Sequence, residues 1–360
     1  MAVTAFEGPL ASAASANPRQ RNRSYQSVLE AIGDTPLIKL SGFLPGNAVE
    51  LFLKLEAANP GGSAKDRPAA AMIEEAVRAG RVWPGSVVVE SSSGNMGIGL
   101  AQACAWYGLR FICVVDPTAR PEALSAMRAL GAEVDMVEEP SGPGRDWLTA
   151  RLDRIEHLVA TTEGAYWPNQ YANPLNPTAH SVGTMAEIDA ALGGAVAGVF
   201  VGVGTTGTLG GCMDFVTANA RDTRVTAVDA VGSVLFGGEP GTRRIPGMGA
   251  GRVPPLARKR WGGSKLQPRV LRVSDLDCVV GCRRLARTDA LLVGGSAGGV
   301  LQAIRSCHSS LPRGRYVAIA ADTGHRYLDT VFDDGWVQEV LGCGPDRLAR
   351  LVGPTAPPRL

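Results

Sequence analysis

Short apolar segments alternate with helix-length segments along most of this chain, and this alternation restricts the fold more than any other feature. Helix-forming runs such as MGIGLAQACAWYG and PEALSAMRALG follow most of the apolar segments. Continuous Val- and Ile-rich strands joined by helices are typical of parallel sheets that are covered on both faces. The candidate strands are residues 49–56, 86–91, 110–116, 133–138, 198–203, 224–230, 289–295 and 316–322. The pattern predicts an α/β fold with two open, mostly parallel twisted sheets flanked by helices, and a ligand site between two domains at the carboxyl ends of strands.

The length of 360 residues is sufficient for two domains of ordinary size. Residues 1–24 are rich in Ala, Ser, Pro and Arg and are expected to form a disordered tail. Residues 25–51 together with 181–345 are predicted to form a larger domain, and residues 52–180 a smaller one. Residues 346–360 are expected to form a flexible tail.

Composition argues against several classes of function. The net charge is +2 and no basic stripe is present, so nucleic acid is not expected as a partner. No apolar run has the length of a membrane span, and the N-terminus lacks the pattern of a signal peptide, so we expect a cytoplasmic protein. The seven cysteines include no C-x-x-C pair, and even Cys278 and Cys282 lack a second pair of ligands. We therefore predict buried thiols and no metal site.

A lysine stands at an unusual place in the stretch NPGGSAKDRPA, residues 59–69. Lys65 follows a Pro-Gly-Gly-Ser turn and precedes a helix-forming run, so it is predicted at or just before the first turn of a helix. A cation there opposes the helix dipole. Lys65 is either a surface lysine that tolerates this penalty or a nucleophilic amine that must at times be neutral.

Three glycine-rich turns are each predicted between a strand and a helix, where free backbone N–H groups attract anions. ESSSGNMG (90–97) is either an ordinary serine-rich helix cap or a loop that binds a carboxylate. In GVGTTGTLGG (202–211), three glycines match the dinucleotide pattern G-x-G-x-x-G, and Asp229 follows about where a ribose-binding acid would stand. Its three threonines favour a phosphate monoester instead.

The third turn, GGSAGG (294–299), matches the nucleophile elbow of serine hydrolases at Ser296. Asp322 and His325 follow in the expected order, but they are only three residues apart. A hydrolase would also leave Lys65 and the two earlier turns without a role. A pyridoxal 5′-phosphate site would use all four elements: an amine, a carboxylate loop, a phosphate cup and a hydroxyl for the pyridine nitrogen.

The motifs resemble those of the fold-type II pyridoxal-phosphate enzymes of the cysteine synthase and cystathionine β-synthase family. The resemblance extends from IGDTPLIKL (32–40) to DTGHRYLD (322–329) and includes NPGGSAKDR, SSGN, GTTGT, GMGAG and GGS in the family's order. The family's usual Thr-Ser-Gly-Asn loop is ESSSGNMG here, and its usual Gln-Phe is Gln170-Tyr171. AYWPNQYAN, VDAVGSVLFG and PGMGAGRVP are closer to the N-(2-amino-2-carboxyethyl)-L-glutamate synthases of 2,3-diaminopropionate biosynthesis for siderophores or peptide antibiotics.

This resemblance implies a set of roles. Lys65 would hold the cofactor and act as the general base, Asn95 would contact its 3′-oxygen, and Ser296 its pyridine nitrogen. The larger domain would bind the cofactor phosphate through a cup formed by Gly204, Thr205, Thr206, Gly207 and Thr208. The smaller domain would supply the substrate loop. The substrate would be bound by Ser92, Ser93, Gly94, Gln170, Tyr171, Arg151 and Gly247, the last being in a loop that faces the cofactor.

The resemblance also implies a PLP-dependent transferase that acts on small-molecule amino-acid substrates as a homodimer. The expected reaction is β-replacement that joins O-phospho-L-serine and L-glutamate. A cysteine synthase that uses O-acetylserine or O-phosphoserine is the alternative within the family. Tyr171, Arg151 and Arg244 are candidates for contacts with a leaving phosphate or with the carboxylates of glutamate.

Overall fold

A computed structural model describes residues 24–46, 48–142, 146–262 and 268–354. Nine strands occur in these residues: β1 Leu37–Leu40, β2 Val49–Leu55, β3 Val87–Ser91, β4 Arg110–Val115, β5 Glu133–Met136, β6 Gly198–Gly202, β7 Arg224–Ala230, β8 Arg269–Val273 and β9 Gly314–Ala320. The α-helices of the same residues are α1 Asp66–Arg78, α2 Asn95–Tyr107, α3 Pro121–Ala129, α4 Trp147–Thr161, α5 Leu175–Ala179, α6 Ala186–Ala191, α7 Gly207–Ala218, α8 Pro255–Trp261, α9 Asp275–Asp289, α10 Gly295–Cys307, α11 Asp334–Leu341 and α12 Pro345–Val352.

The strands form two separate sheets. The six-stranded sheet has the order β1-β2-β9-β6-β7-β8, and only the β1–β2 pairing is antiparallel. The three-stranded sheet has the order β3-β4-β5 and is parallel throughout. The predicted α/β fold with two mostly parallel sheets is confirmed. Within the described residues, every helix is too short or too polar to span a bilayer.

Both faces of the larger sheet are buried, as the apolar strands predict. On β6, Phe200 packs into one hydrophobic core with residues of α9 and α10, such as Leu285 and Val300. Its neighbours Val199 and Val201 point to the opposite face and pack with residues of α6 and α7. Successive side chains of a strand alternate between faces, so a run of apolar residues is what a sheet covered on both sides requires.

Three predicted details of the strands differ from the structure. Residues 289–295 are not a strand, because α9 extends to Asp289 and only Val293 forms an isolated bridge, with Thr323. Strands β1 and β8 were not among the candidates. Both are edge strands with partly exposed residues, so each lacks the continuous apolar run that marks the central strands.

The predicted division of the chain also differs in places. A boundary at residue 52 falls inside β2, which lies entirely in the larger sheet. Pro345–Val352 is a helix rather than part of a flexible tail, because Leu348 and Val352 are buried in the core of the larger sheet. Residues 1–23 and 355–360 of the two predicted tails lie outside the described residues.

A buried ionic cluster connects β2 to α1 and α6. Arg67 Nε lies 2.6 Å from Glu56 Oε2, Arg67 Nη1 lies 2.6 Å from Glu187 Oε1, and Lys54 Nζ lies 2.6 Å from Glu187 Oε2. Lys54 also donates to the Thr35 carbonyl oxygen at 2.6 Å. Burial alone would raise the pKa of Glu187, but hydrogen bonds and charge from Arg67 and Lys54 hold it at about 2. Because each charge depends on its partners, the cluster fixes α1 relative to the larger sheet.

One distorted helix supplies the carboxylate of Glu187. Between α5 and α6 the chain forms a π-helical segment, His180–Met185, so that residues 175–191 form a nearly continuous helical rod. Gly211 of α7 packs so closely against this rod that a Cβ atom there would lie 2.2 Å from the Pro177 carbonyl oxygen. Such π-helical insertions are frequent at functional sites.

We predict that Arg67→Ala lowers the free energy of unfolding by about 3–5 kcal/mol, because it leaves Glu56 buried without its cation. Urea unfolding followed by circular dichroism measures this. Arg110→Ala is the matched control, since Arg110 and Glu133 form an exposed pair at 2.8 Å and its loss should change the value by less than about 1 kcal/mol. Equal, small effects of both substitutions would show that the cluster does not hold α1 in place.

Candidate active site

A pocket lies at the carboxyl ends of β6 and β9, beside the start of α1. It brings together Lys65, the threonine-rich turn after β6, Ser296 and Gly247, four features that are far apart in the sequence. The pocket is lined by Lys65, Val201, Gly202, Gly204, Thr205, Thr206, Gly207, Thr208, Leu209, Gly247, Ser296, Ile319 and Ala321. Its position at the strand ends is the one that parallel sheets predict.

Lys65 immediately precedes the first residue of α1, as the turn before it predicts. Its segment is anchored to the end of the larger sheet, because the Ala64 amide donates to the Ala321 carbonyl oxygen at 2.7 Å. Burial lowers the pKa of Lys65, whereas the nearby carboxylates of Asp322 and Glu56 oppose this shift. The surroundings therefore favour a neutral amine, which is the form that attacks a carbonyl carbon or accepts a proton.

The turn that joins β6 to α7 has the geometry of an anion cup. Thr206 has φ +67° and is buried, an uncommon and strained conformation for a β-branched residue. This left-handed residue reverses the chain direction immediately before α7, which begins at Gly207. Gly207 and the side chains of Thr205 and Thr208 line the pocket. Backbone donors at a helix N-terminus together with hydroxyls suit a phosphate group.

A buried histidine supports this cup from behind. His180 Nε2 lies 3.2 Å from Thr208 Oγ1, and His180 Nδ1 lies 3.0 Å from Thr184 Oγ1. Burial and the nearby positive charges of Lys65 and Arg67 hold the pKa of His180 well below its usual value, so the imidazole is neutral. The π-helical segment places His180 here, which the sequence motifs did not indicate.

Asn95 is the first residue of α2, and a network of polar side chains holds it in place. Its Nδ2 donates to Asp322 Oδ2 at 2.8 Å, and the Arg326 guanidinium donates to its Oδ1. Asp322 Oδ2 also accepts from the Tyr327 hydroxyl at 2.5 Å. Asp322 directly follows Ala321, which lines the pocket. The roles of Asp322, Arg326 and Tyr327 were missed, although the segment DTGHRY is part of the family resemblance.

The serine-rich turn after β3 is held by hydrogen bonds of the Ser92 and Gln170 side chains. Ser92 is buried, and its hydroxyl accepts a hydrogen bond from the Gly97 amide at 2.8 Å, so it acts as a cap for α2. Ser93 and Gly94 are partly exposed. Gln170 is buried and its Nε2 donates to the Ser91 carbonyl oxygen at 2.9 Å, which places it beside this turn. Contacts of these four residues with a substrate remain predictions.

Arg151 and Tyr171 form a second polar group near the same turn. Arg151 Nε lies 3.1 Å from Asp116 Oδ2, and the Arg151 side chain is only 11% exposed. Burial raises the pKa of the Tyr171 hydroxyl, while the nearby positive charge of Arg151 opposes the shift. Arg244, in contrast, is exposed, and its backbone amide donates to Asp275 at 2.9 Å.

The geometry disfavours both a dinucleotide site and a serine-hydrolase triad, the two alternatives that the glycine motifs left open. Asp229 is fully buried and accepts from the Ala230 amide at 2.9 Å, so its carboxylate is not available to a ribose. His325 is exposed and lies 2.8 Å from Thr323 Oγ1, whereas Asp322 binds Asn95 and Tyr327. No hydrogen bond within the described ranges joins His325 to Ser296, so a hydrolase triad is not assembled.

The chain is similar to known proteins in both sequence and fold. The family model of pyridoxal-phosphate-dependent enzymes matches residues 28–322. An N-(2-amino-2-carboxyethyl)-L-glutamate synthase of Ralstonia nicotianae is 41% identical over 316 residues, which cover 88% of this chain and 92% of the relative.

Two solved structures are also similar. An O-acetylserine-dependent cystathionine β-synthase of Helicobacter pylori matches with a TM-score of 0.78 at 30% identity, over 86% of this chain and 99% of the other. A cysteine synthase of Entamoeba histolytica matches with a TM-score of 0.77 at 29% identity, over 89% of this chain and 93% of the other.

Glu90 lies behind the serine-rich turn and connects it to the segment that carries Gln170. Its carboxylate is fully buried and accepts from the amides of Ser91 and Gln170 and from Trp167 Nε1, at 2.9–3.1 Å. Burial outweighs these donors and raises the pKa of Glu90 from 4.5 to about 7. The folded protein then binds a proton that the unfolded chain releases, so stability is lost as the pH rises through this range.

We predict that wild type loses free energy of unfolding relative to Glu90→Gln by up to about 3 kcal/mol between pH 4.5 and 7. Urea unfolding at several pH values measures the difference. Glu163→Gln, at an exposed glutamate, is the control and should show no such pH dependence. A constant difference between wild type and Glu90→Gln would mean that Glu90 is ionised throughout this range.

Proposed function

This chain belongs to the pyridoxal-phosphate-dependent enzymes of the fold-type II cysteine synthase family, and we propose that within it the protein joins O-phospho-L-serine to L-glutamate. The products are N-(2-amino-2-carboxyethyl)-L-glutamate and phosphate. The observation that carries this proposal is the 41% identity with a synthase of that compound over most of both chains. The nearly buried guanidinium of Arg151, whose positive charge acts on the Tyr171 hydroxyl, supports a phosphate leaving group.

The residues of the pocket fit the cofactor. Lys65 supplies an amine whose pKa is lowered by burial, and the cup at residues 204–208 supplies backbone and hydroxyl donors for a phosphate monoester. Ser296 lies in the first turn of α10, lines the same pocket and offers a neutral hydroxyl to the pyridine nitrogen. When bound, pyridoxal phosphate withdraws electrons from an attached amino acid and so acidifies its Cα–H.

The chain's own groups then perform the proton transfers and the positioning. Lys65 accepts the proton from Cα, and the bond between Cβ and the phosphate oxygen breaks. The amine of glutamate forms a new bond to Cβ and loses a proton, and Lys65 returns a proton to Cα. A lysine with an ordinary pKa of about 10.4 would be protonated and unable to act as this base, so burial of Lys65 is required.

The turn after β3 and the segment that carries Gln170 and Tyr171 are proposed to recognise the substrate. Ser92, Ser93, Gly94 and Gln170 are proposed to bind the carboxylate of phosphoserine, and Asn95 the 3′-oxygen of the cofactor. A phosphate ester carries close to two negative charges, whereas an acetate ester is neutral. Arg151 and the Tyr171 hydroxyl are proposed to stabilise the departing phosphate, a requirement that acetylserine does not impose.

We also propose an oligomeric state, a location and a pathway for this enzyme. Members of this family act on small molecules. We propose that this protein is a transferase that acts as a cytoplasmic homodimer and supplies an intermediate for L-2,3-diaminopropionate, a building block of siderophores or peptide antibiotics. Analytical ultracentrifugation of the purified protein tests the dimer.

The reaction is tested with two pairs of substrates. We expect phosphoserine and glutamate to release inorganic phosphate and to yield the joined product, identified by mass spectrometry. Acetylserine and sulfide should react slowly, because the neutral acetate ester cannot form an ionic interaction with Arg151. Rapid formation of cysteine from acetylserine with glutamate inert would instead make the protein a cysteine synthase.

We predict that Tyr171→Phe lowers kcat/KM for phosphoserine by about ten- to a hundredfold, since a hydrogen bond to a charged group contributes about 1.5–3 kcal/mol. The value for acetylserine should change little. Tyr166→Phe is the matched control, because Tyr166 lies on the same segment but packs against the core of the smaller sheet. Equal losses with both esters would show that Tyr171 does not recognise the phosphate.

A further inference from the structure

Asn176 is a fully buried amide that lies directly behind the phosphate cup. It belongs to α5, and its Nδ2 donates to the Gln170 carbonyl oxygen at 2.8 Å and to Thr205 Oγ1 at 3.3 Å. It is thus a direct link between the segment that carries Gln170 and the turn that carries Thr205. None of the motifs in the sequence singles it out.

The orientation of the Asn176 amide follows from its neighbours. The Gln170 carbonyl oxygen can only accept, so the nitrogen of Asn176 must face it. The oxygen, Oδ1, is then turned towards Gly207, where it is buried without a hydrogen-bond partner. A Cβ atom at Gly207 would lie 1.9 Å from this oxygen, so only glycine fits there. An unpaired buried acceptor is costly, so this orientation is favoured by the two hydrogen bonds of the nitrogen and not by the oxygen.

The hydrogen bonds at Thr205 determine the role of its hydroxyl in the cup. A hydroxyl has two acceptor positions and one proton to donate. Thr205 Oγ1 accepts from Asn176 Nδ2 at 3.3 Å and from the Gly207 amide at 3.4 Å, which occupies both acceptor positions. The remaining proton of Thr205 is left to point towards the pocket, which Thr205 lines. Its hydroxyl then acts as a donor.

We propose that Asn176 is a positioning residue that fixes the Thr205 hydroxyl as a donor to the cofactor's phosphate, and so raises cofactor affinity without touching the cofactor. A deprotonated phosphate only accepts hydrogen bonds, so a cup whose hydroxyl is restricted to donation is complementary to it. This inference rests on the proposed assignment of residues 204–208 as the phosphate site.

The test compares two ligands that differ only in the phosphate. The full-length protein, freed of cofactor, is titrated with pyridoxal 5′-phosphate and with pyridoxal, and binding is followed by absorbance. We expect Asn176→Ala and Thr205→Val each to weaken binding of the phosphate form by about tenfold, and to leave pyridoxal binding unchanged. The double variant should be no weaker than Thr205→Val alone, because Asn176 acts through that hydroxyl.

The control is Asn173→Ala, on the same segment, whose Nδ2 donates to the Pro168 carbonyl oxygen at 2.8 Å. It should leave the ratio of the two affinities unchanged. If Asn176→Ala does not give folded protein, Asn176→Ser replaces it with the same expectation, since the shorter side chain cannot reach both acceptors.

The results distinguish an incorrect phosphate site from an incorrect role of Asn176. No effect of Thr205→Val would overturn the assignment of the phosphate cup itself. An effect of Thr205→Val without one of Asn176→Ala would overturn the role of Asn176. Equal weakening of both ligands by Asn176→Ala, or additive losses in the double variant, would show that Asn176 supports the fold rather than the hydroxyl.

Discussion

The buried ion pairs between Arg67, Glu56 and Glu187 are the constraint on which the site depends. Charges in such surroundings are tolerated only when every partner is in place, so the cluster permits one arrangement of β2, α1 and α6. Lys65 lies two residues before Arg67 and is therefore held where α1 begins. Because Glu187 lies on the helical rod of residues 175–191, the same rod that presents Asn176 and His180 to the cup, one ionic cluster aligns the amine with the anion site.

Lys54 and Lys65 are both buried, but their different surroundings suit them to different roles. Lys54 is 2% exposed, but it contacts Glu187 and the Thr35 carbonyl oxygen at 2.6 Å, which stabilises its charge. Lys65 has no such ion pair among the described residues, and burial lowers its pKa. The first lysine is suited to hold the fold, and the second to act as a base or a nucleophile.

The sequence was sufficient for the features that depend on local pattern. The apolar runs predicted the buried strands, and the turn NPGGS predicted Lys65 at the start of a helix, because both follow from neighbours along the chain. Features that depend on distant partners were not predictable in this way. Arg67 and Glu187 are 120 residues apart, and Asn95 and Asp322 are 227 apart, so no short motif indicates their pairing. The edge strand β8 was missed because two arginines interrupt its short sequence, RVLRV, so it lacks a continuous apolar run.

The role of Lys65 is tested most directly by identifying the residue to which the cofactor attaches. Reduction of the purified enzyme with borohydride, followed by proteolysis and mass spectrometry, identifies the lysine that holds pyridoxal phosphate. We expect a single modification on Lys65, because it lines the same pocket as the phosphate cup and burial favours its neutral form. Modification of Lys54, or a protein that acquires no modification, would contradict it.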